Sequence, residues 1–289
     1  MKFRNLKNSI LDFLRTLEDK PLPLYSTGLS ALDYAIGGGI APGEMCVMAA
    51  RPSHGKTLMG LQILRAMAKQ GLPGLFVSEE MSLQALIERT VRAMSDEAAQ
   101  RKFVNDWASI SDELMEDTDA HFRGVAPILV AERCGSADAV SNAIKEAVDN
   151  HGVKIVVVDY VQVLAKGSSG GDKFAQVGAA SQVLKQAALE TNVAMICLAQ
   201  MGRSIDERSK WVPMMSDIQH SSQIEQDADT LIFLEWPWQR DKTQRPHVYR
   251  MWIVKNRNRG IHGDSCIELE FDAKRQTITD RMASAVGSR

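Results

Sequence analysis

The sequence predicts an α/β protein, with a mainly parallel central sheet flanked by helices and organised around a phosphate-binding loop. Three observations predict it. Apolar runs of strand length alternate with stretches of helical periodicity along most of the 289 residues. The segment Ala50-Arg51-Pro52-Ser53-His54-Gly55-Lys56-Thr57 joins one such strand to a helix, the setting a P-loop requires. A wholly apolar run, Ile155-Val156-Val157-Val158, ends on the carboxylate Asp159, at the edge where parallel sheets bind ligands.

Taken in order, residues 5–19 place Leu6, Ile10, Phe13, Leu14 and Leu17 on one helical face, and Pro21-Leu22-Pro23 stops that helix in an extended joint. An apolar stripe of this kind folds back on its own domain or docks on a neighbouring subunit, and the residues leave both open. Residues 1–24 therefore read as a short helix and joint, 25–280 as the main domain and 281–289 as a frayed tail. Within the domain Gly37-Gly38-Gly39 makes a turn. Strands are predicted over 45–50, 74–78, 127–131, 154–159, 193–199, 229–234 and 248–254, and helices over 57–70, 82–95, 136–150 and 174–191. Residues 97–124 are charged and expected to be helical. Two segments, the Gly/Ser-rich 166–173 and the polar 202–223, read as mobile loops.

Composition narrows the function classes. With 34 basic and 36 acidic side chains the net charge is −2, so no global field attracts nucleic acid and any such contact must be local. The four cysteines, Cys46, Cys134, Cys197 and Cys266, form no C-x-x-C pair and read as small core residues of a reducing compartment. No apolar run approaches the roughly 18 residues of a membrane span, and the expected location is the cytoplasm.

The chemistry-bearing residues follow from the loop. The backbone N–H groups of Ser53, His54, Gly55, Lys56 and Thr57 are expected to face nucleotide phosphates from the positive end of a helix. Lys56 supplies a point charge to the β/γ oxygens, and the Thr57 hydroxyl and Asp159 are candidate ligands of Mg²⁺. Ala50 stands where the usual pattern has its first glycine. Glu79 and Glu80 follow the strand 74–78, which is expected to neighbour the P-loop strand; either could polarise an attacking water, and spacing does not choose between them. Gln200 ends a strand where a neutral amide can contact a γ-phosphate or the attacking water and signal to the next loop. Lys255 and Arg257, at i and i+2 of an extended stretch, point the same way and suit a phosphate supplied by another subunit.

With these residues assembled, the chain resembles the C-terminal motor domain of the DnaB-type replicative DNA helicases, hexameric RecA-fold ATPases. The A-R-P-S-x-G-K-T form of the loop, including Ala50, carries the resemblance, together with Ser78-Glu79-Glu80-Met81 for the family's S-L-E-M. So do Ser216-Asp217-Ile218 with Ile224-Glu225-Gln226-Asp227-Ala228-Asp229, and the Lys255-x-Arg257 pair. The resemblance implies a RecA-like P-loop NTPase with a short linker helix before it, hydrolysing ATP with Mg²⁺ at interfaces of a homo-oligomeric ring, a hexamer. It makes Glu80 the catalytic base, with Lys56, Gln200 and the trans-acting Lys255 and Arg257 completing the catalytic set. Arg89 then lies near the nucleotide base. Loops 165–175 and 202–223 would face the channel and hold single-stranded DNA through Lys166, Lys173, Arg203, Arg208, Lys210, Gln219 and His220. Gln219 replaces a family arginine, a weaker phosphate contact. With about 24 residues before the motor, the family's N-terminal collar domain is expected to be missing. The linker-helix likeness favours docking on a neighbour, and a loader or primase is an implied partner. Two other functions fit parts of the pattern. One is a RecA- or KaiC-like strand-exchange or regulatory ATPase, sharing Tyr25-Ser26-Thr27-Gly28-Leu29; the other is a nucleotide-dependent DNA- or protein-binding ring with little hydrolysis.

Overall fold

The computed structural model describes residues 6–7, 23–94, 111–164, 172–208, 210–219 and 222–281. The expected 5–19 helix (Leu6 and Lys7 apart), Lys166, His220 and the tail beyond 281 lie outside the described residues.

The elements run α1 (Ser30–Ala35), β1 (Met45–Ala50), α2 (Lys56–Lys69), β2 (Gly74–Ser78), α3 (Leu83–Met94), α4 (Ser111–Phe122) and β3 (Ile128–Glu132). There follow α5 (Ala137–His151), β4 (Ile155–Asp159), α6 (Val161–Leu164), α7 (Lys173–Thr191) and β5 (Ala194–Gln200). The second half closes with α8 (Ser222–Asp227), β6 (Thr230–Glu235), α9 (Pro237–Arg240), β7 (Val248–Asn256), β8 (Cys266–Asp272) and β9 (Thr277–Asp280). Among the described residues nine strands form one sheet in the order β3-β2-β4-β5-β1-β6-β7-β8-β9. The first six in that row pair in parallel, and β7, β8 and β9 extend the sheet antiparallel.

Burial explains the order. Strands β1, β2, β4 and β6 are buried at every residue, and a strand apolar on both faces needs a partner on each edge and cover above and below. One face packs Val47, Val156, Val158 and Cys197 against Val140, Ile144 and Leu184 of α5 and α7. The other packs Met48, Val157 and Ile196 against Met59, Ile63 and Leu64 of α2. Helix α5 starts on Ser136, whose hydroxyl accepts the Ala139 N–H, and stops on Gly152 at φ 65°.

Three expectations are corrected. Strand β2 does not neighbour β1: β4 and β5 lie between them, because β4 has no polar residue before Asp159 and takes an interior position. The antiparallel strands β8 and β9 and the short α1 were not foreseen; their alternation of exposed charge with single apolar residues is weak. Finally, the described part of 202–223 is folded. It carries 3₁₀ turns at Arg203–Glu207 and Met215–Asp217, and buries Ile205, Trp211 and Ile218.

The end of β9 meets the start of α1. The Asp280 carboxylate, at the end of β9, accepts the N–H groups of Ser30 (2.7 Å) and Ala31 (3.0 Å) at the start of α1. Those are first-turn donors with no partner inside their own helix.

Candidate active site

The P-loop lies between β1 and α2 at the carboxyl edge of the sheet, and its shape is imposed by two residues in the left-handed region, Ser53 (φ 66°) and Gly55 (φ 82°). Gly55 precedes α2, where a side chain would be strained by the backbone and would also meet Tyr249 Oη at 3.3 Å. The loop is buttressed from beneath. The fully buried Tyr249 on β7 donates from its hydroxyl to the His54 carbonyl at 2.6 Å, and the His54 Nδ1 accepts the Trp236 N–H at 3.1 Å. Burial lowers the His54 pKa to about 4, so the imidazole is neutral near pH 7. The His54 amide donates to the Arg51 carbonyl at 3.2 Å and so closes a turn within the loop, whereas Lys56 and Thr57 open α2 with the unpaired first-turn N–H groups of any helix start.

Asp159, at the end of β4, has no solvent exposure. Its Oδ2 accepts from the Thr57 hydroxyl at 2.5 Å. The Lys56 ammonium stands 3.1 Å from Oδ1 but out of line for a hydrogen bond, so among the described residues Oδ1 is buried without a hydrogen-bond donor. A buried carboxylate oxygen lacking a donor, beside a hydroxyl, is a set of hard oxygen ligands that fits Mg²⁺. The Lys56 ammonium also lies 3.8 Å from the centre of the Tyr160 ring.

The two glutamates separate in space. Glu79 accepts the N–H groups of Cys134 (2.8 Å) and Gly135 (3.1 Å) beyond β3, so its carboxylate holds the neighbouring loop. Glu80 is exposed, with Oε2 3.9 Å from Lys56 Nζ. A cavity of about 610 Å³ gathers Ser53, His54, Gly55, Lys56, Thr57, Glu80, Arg89 and Gln200 on its walls, well within the range of small-molecule sites. Arg89 has its pKa lowered by burial, an effect opposed by the nearby Asp159 and Glu80.

The other expected residues lie away from that cavity. Lys255 Nζ donates to the Glu225 carbonyl (2.5 Å) and Arg257 Nη2 to the Gln226 carbonyl (2.6 Å), both near the carboxyl end of α8, where peptide dipoles favour cations. Burial, then the Arg257 charge, lower the Lys255 pKa. Lys173, Arg203 and Lys210 are exposed, and Gln219 is half-buried. Arg208 differs from them: its guanidinium grips the buried Asp217 at 2.6 and 2.8 Å and donates to the Val212 carbonyl at 3.0 Å. That bidentate pair holds the 203–217 fold together and leaves Arg208 little freedom to meet a phosphate.

One contributor escaped the sequence reading. Gln162, buried on α6, donates to the carbonyls of Gln200 (3.1 Å) and Gln219 (3.3 Å) and accepts the Gln200 N–H at 3.2 Å. It ties the element after Asp159 to Gln200 at the end of β5 and to Gln219 in the turn after Ile218. A lone glutamine inside an apolar run, Val161-Gln162-Val163-Leu164, was the signal available.

Comparison with known proteins agrees with this geometry. Residues 25–280 match the family model of the DnaB-like helicase C terminal domain. A replicative DNA helicase DnaB of Treponema pallidum (strain Nichols) is 31% identical over 284 residues, covering 94% of this chain and 60% of that protein. A probable plasmid replicative DNA helicase of Chlamydia psittaci is 27% identical over 210 residues, covering 72% of this chain and 45% of that protein. The chain thus spans about half the length of the curated relatives it matches. Among solved structures, an isolated ATPase domain superposes with a TM-score of 0.85 at 23% identity, covering 97% of this chain and 100% of that one. A DnaB-like replicative helicase, solved in a study of its interactions with primase, gives a TM-score of 0.80 at 23% identity, covering 96% of this chain and 67% of that one. These two likenesses carry the fold, and the family match carries the kinship: the chain belongs to the DnaB-like helicase C-terminal domain family.

Proposed function

We propose that the chain is an ATP-driven motor that moves single-stranded DNA through a homo-oligomeric ring, a hexamer, in replication. The observation that carries this reading is the division of the catalytic set. Lys56, Thr57 and Glu80 surround one cavity, with Asp159 behind them, while Lys255 and Arg257 stand outside it. Among the described residues the cations lining that cavity are Arg51, Lys56 and Arg89, and neither Lys255 nor Arg257 is one of them. A neighbouring copy would supply the missing fork.

In this reading the amides of the P-loop and Lys56 hold the β- and γ-phosphates, and Arg89 lies beside the base. Mg²⁺, held through Thr57 and Asp159, would neutralise developing phosphate charge. Glu80 orients and deprotonates the attacking water, a role worth about 10²–10⁴ in rate. Arg257 of a neighbouring copy adds about 10³–10⁵ by stabilising the transferring phosphoryl group. Gln200 reports the state of the cavity to 202–219, whose exposed Arg203 and Lys210, with Lys173, contact DNA phosphates. Lys166 and His220 are assigned to the same surface by the family pattern. The cytoplasm is the proposed location: no helix among the described residues is long and apolar enough to cross a membrane. A primase is a proposed partner, by likeness to the helicase studied with one.

The test is ATP hydrolysis with and without single-stranded DNA, at two salt concentrations, for wild type and Arg257→Ala. DNA stimulation that is lost in Arg257→Ala, and that weakens with salt at a slope near −0.7 per phosphate contacted, is the expected result. Turnover indifferent to DNA overturns the motor reading.

A further inference from the structure

The P-loop is fastened to the segment after β5 by contacts that run past Gln200. Arg51, the second residue of the loop, is fixed between the end of β1 and Pro52. Its Nε donates to Asp206 Oδ2 at 2.8 Å and its Nη1 to the Met201 carbonyl at 3.1 Å. The Arg51 side chain is only 15% exposed, whereas Asp206 is 40% exposed on the 203–207 turn. Three residues on, the His54 ring lies parallel to the Trp211 ring, with centroids 6.2 Å apart and planes at 7°. Trp211 is buried and, among the described residues, its Nε1 has no hydrogen-bond acceptor, so packing holds it in place. The Met201 N–H also pairs with the Ala50 carbonyl at 2.9 Å. The loop and the 201–211 segment are therefore joined by four contacts, made by Ala50, Arg51 and His54 of the loop.

Arg51 lines the phosphate cavity as well. Its Nη2 donates to no described residue, so one arm of the fork is available to an anion entering the cavity. A phosphate that takes the free arm competes with Asp206 for position, because the guanidinium is one rigid plane carrying one charge and each anion draws it toward itself. We propose that Arg51 is a positioning residue that couples the cavity to the 203–207 turn: nucleotide phosphates draw its guanidinium from Asp206, and the turn is released. This gives the nucleotide a differential contact with two arrangements of the segment, which any coupling between sites demands. It goes beyond the motor reading by naming a second route beside Gln200, and it rests on that reading only for nucleotide binding.

The test is amide hydrogen exchange over residues 202–211, without DNA, in the presence and absence of AMPPNP with Mg²⁺. Wild type, Asp206→Ala and Arg51→Lys are compared. In wild type the nucleotide should speed exchange in 203–208 by about fivefold or more, the lower bound of ordinary coupling. Asp206→Ala should exchange fast from the outset and respond less than about twofold, while binding a fluorescent nucleotide within about threefold of wild type. Arg51→Lys keeps the charge but not the fork, and should lose the response in the same way; the double variant should lose no more than either single one. A wild type that binds nucleotide with no change at 203–208, or an Asp206→Ala that responds like wild type, overturns the proposal. Failure of the motor reading shows elsewhere: no binding of an oligo-dT strand by fluorescence anisotropy, with the nucleotide response at 203–208 intact.

Discussion

Replacing Glu79 and Glu80 one at a time by glutamine separates a scaffold carboxylate from the proposed catalytic one, although the two are adjacent in sequence. Glu79 accepts two backbone N–H groups, from Cys134 at 2.8 Å and Gly135 at 3.1 Å. Hydrogen bonds to a charged group contribute about 1.5–3 kcal/mol each, and a half-buried site takes the lower figure. Glutamine keeps one carbonyl acceptor, so Glu79→Gln weakens one bond and turns an NH₂ donor toward the other N–H. The expected loss is about 2 kcal/mol, which for a domain of this size lowers Tm by roughly 4–8 °C. At a temperature well below that transition its kcat for ATP should stay within about threefold of wild type, because Glu79 is not among the residues that line the cavity and its oxygens are taken by two amides. Glu80→Gln should do the reverse, leaving Tm within about 1 °C and lowering kcat about 10²–10⁴-fold with nucleotide still bound. The assay is steady-state phosphate release beside thermal unfolding. Equal falls in kcat for the two variants would refute the assignment drawn from their different partners.

Three further outcomes are expected. His54 has its pKa lowered to about 4 by burial, from an unfolded value near 6.5, so the unfolded chain binds the extra proton first. Its stability contribution is complete above about pH 6.5 and is lost as pH falls toward 4. The loss is about 3 kcal/mol, read as a pH-dependent urea midpoint that flattens in His54→Gln. Arg208→Ala leaves Asp217 buried without its cation and should cost about 3 kcal/mol in urea unfolding, whereas Arg203→Ala should leave stability unchanged and weaken oligo-dT binding. Thr57→Val removes the hydroxyl 2.5 Å from Asp159 and should raise the Mg²⁺ concentration needed for half-maximal hydrolysis by about tenfold or more, measured by magnesium titration.

The parallel half of the sheet was legible because its strands are short, apolar and separated by helices with regular periodicity. The strand–loop–helix form of the P-loop was legible for a similar reason: Gly55, Lys56 and Thr57 must be contiguous to open the helix after β1. What resisted was whatever depends on contacts between distant segments. Nothing near Glu79 in sequence says that two amides 55 and 56 positions on will take its carboxylate. Spacing alone left the two glutamates open, and the partners found in space distinguish them. Arg208 read as a free cation because Asp217 lies nine residues away with no regular periodicity between them. The 202–219 segment read as a loop since Ile205, Trp211 and Ile218 fall at intervals of six and seven, matching neither helix nor strand. Strands β8 and β9 were missed because an outer antiparallel strand buries few residues, here Leu269 and Ile278, and so leaves a faint pattern.

The contact between Asp280 and the first turn of α1 has a consequence for how the domain can be built into larger chains. The exit from β9 is fastened to the first turn of α1, five residues after Tyr25, so a segment joined after Asp280 leaves the domain beside α1. The same geometry means that the chain can be rewired. A short flexible bridge from Arg281 to Leu24, with new ends cut in the exposed turn at Gly71, where an added side chain meets nothing within 4 Å, should fold to the same sheet. Such a permutant would let a label or tether be placed on the far side of the domain without touching either of its natural ends.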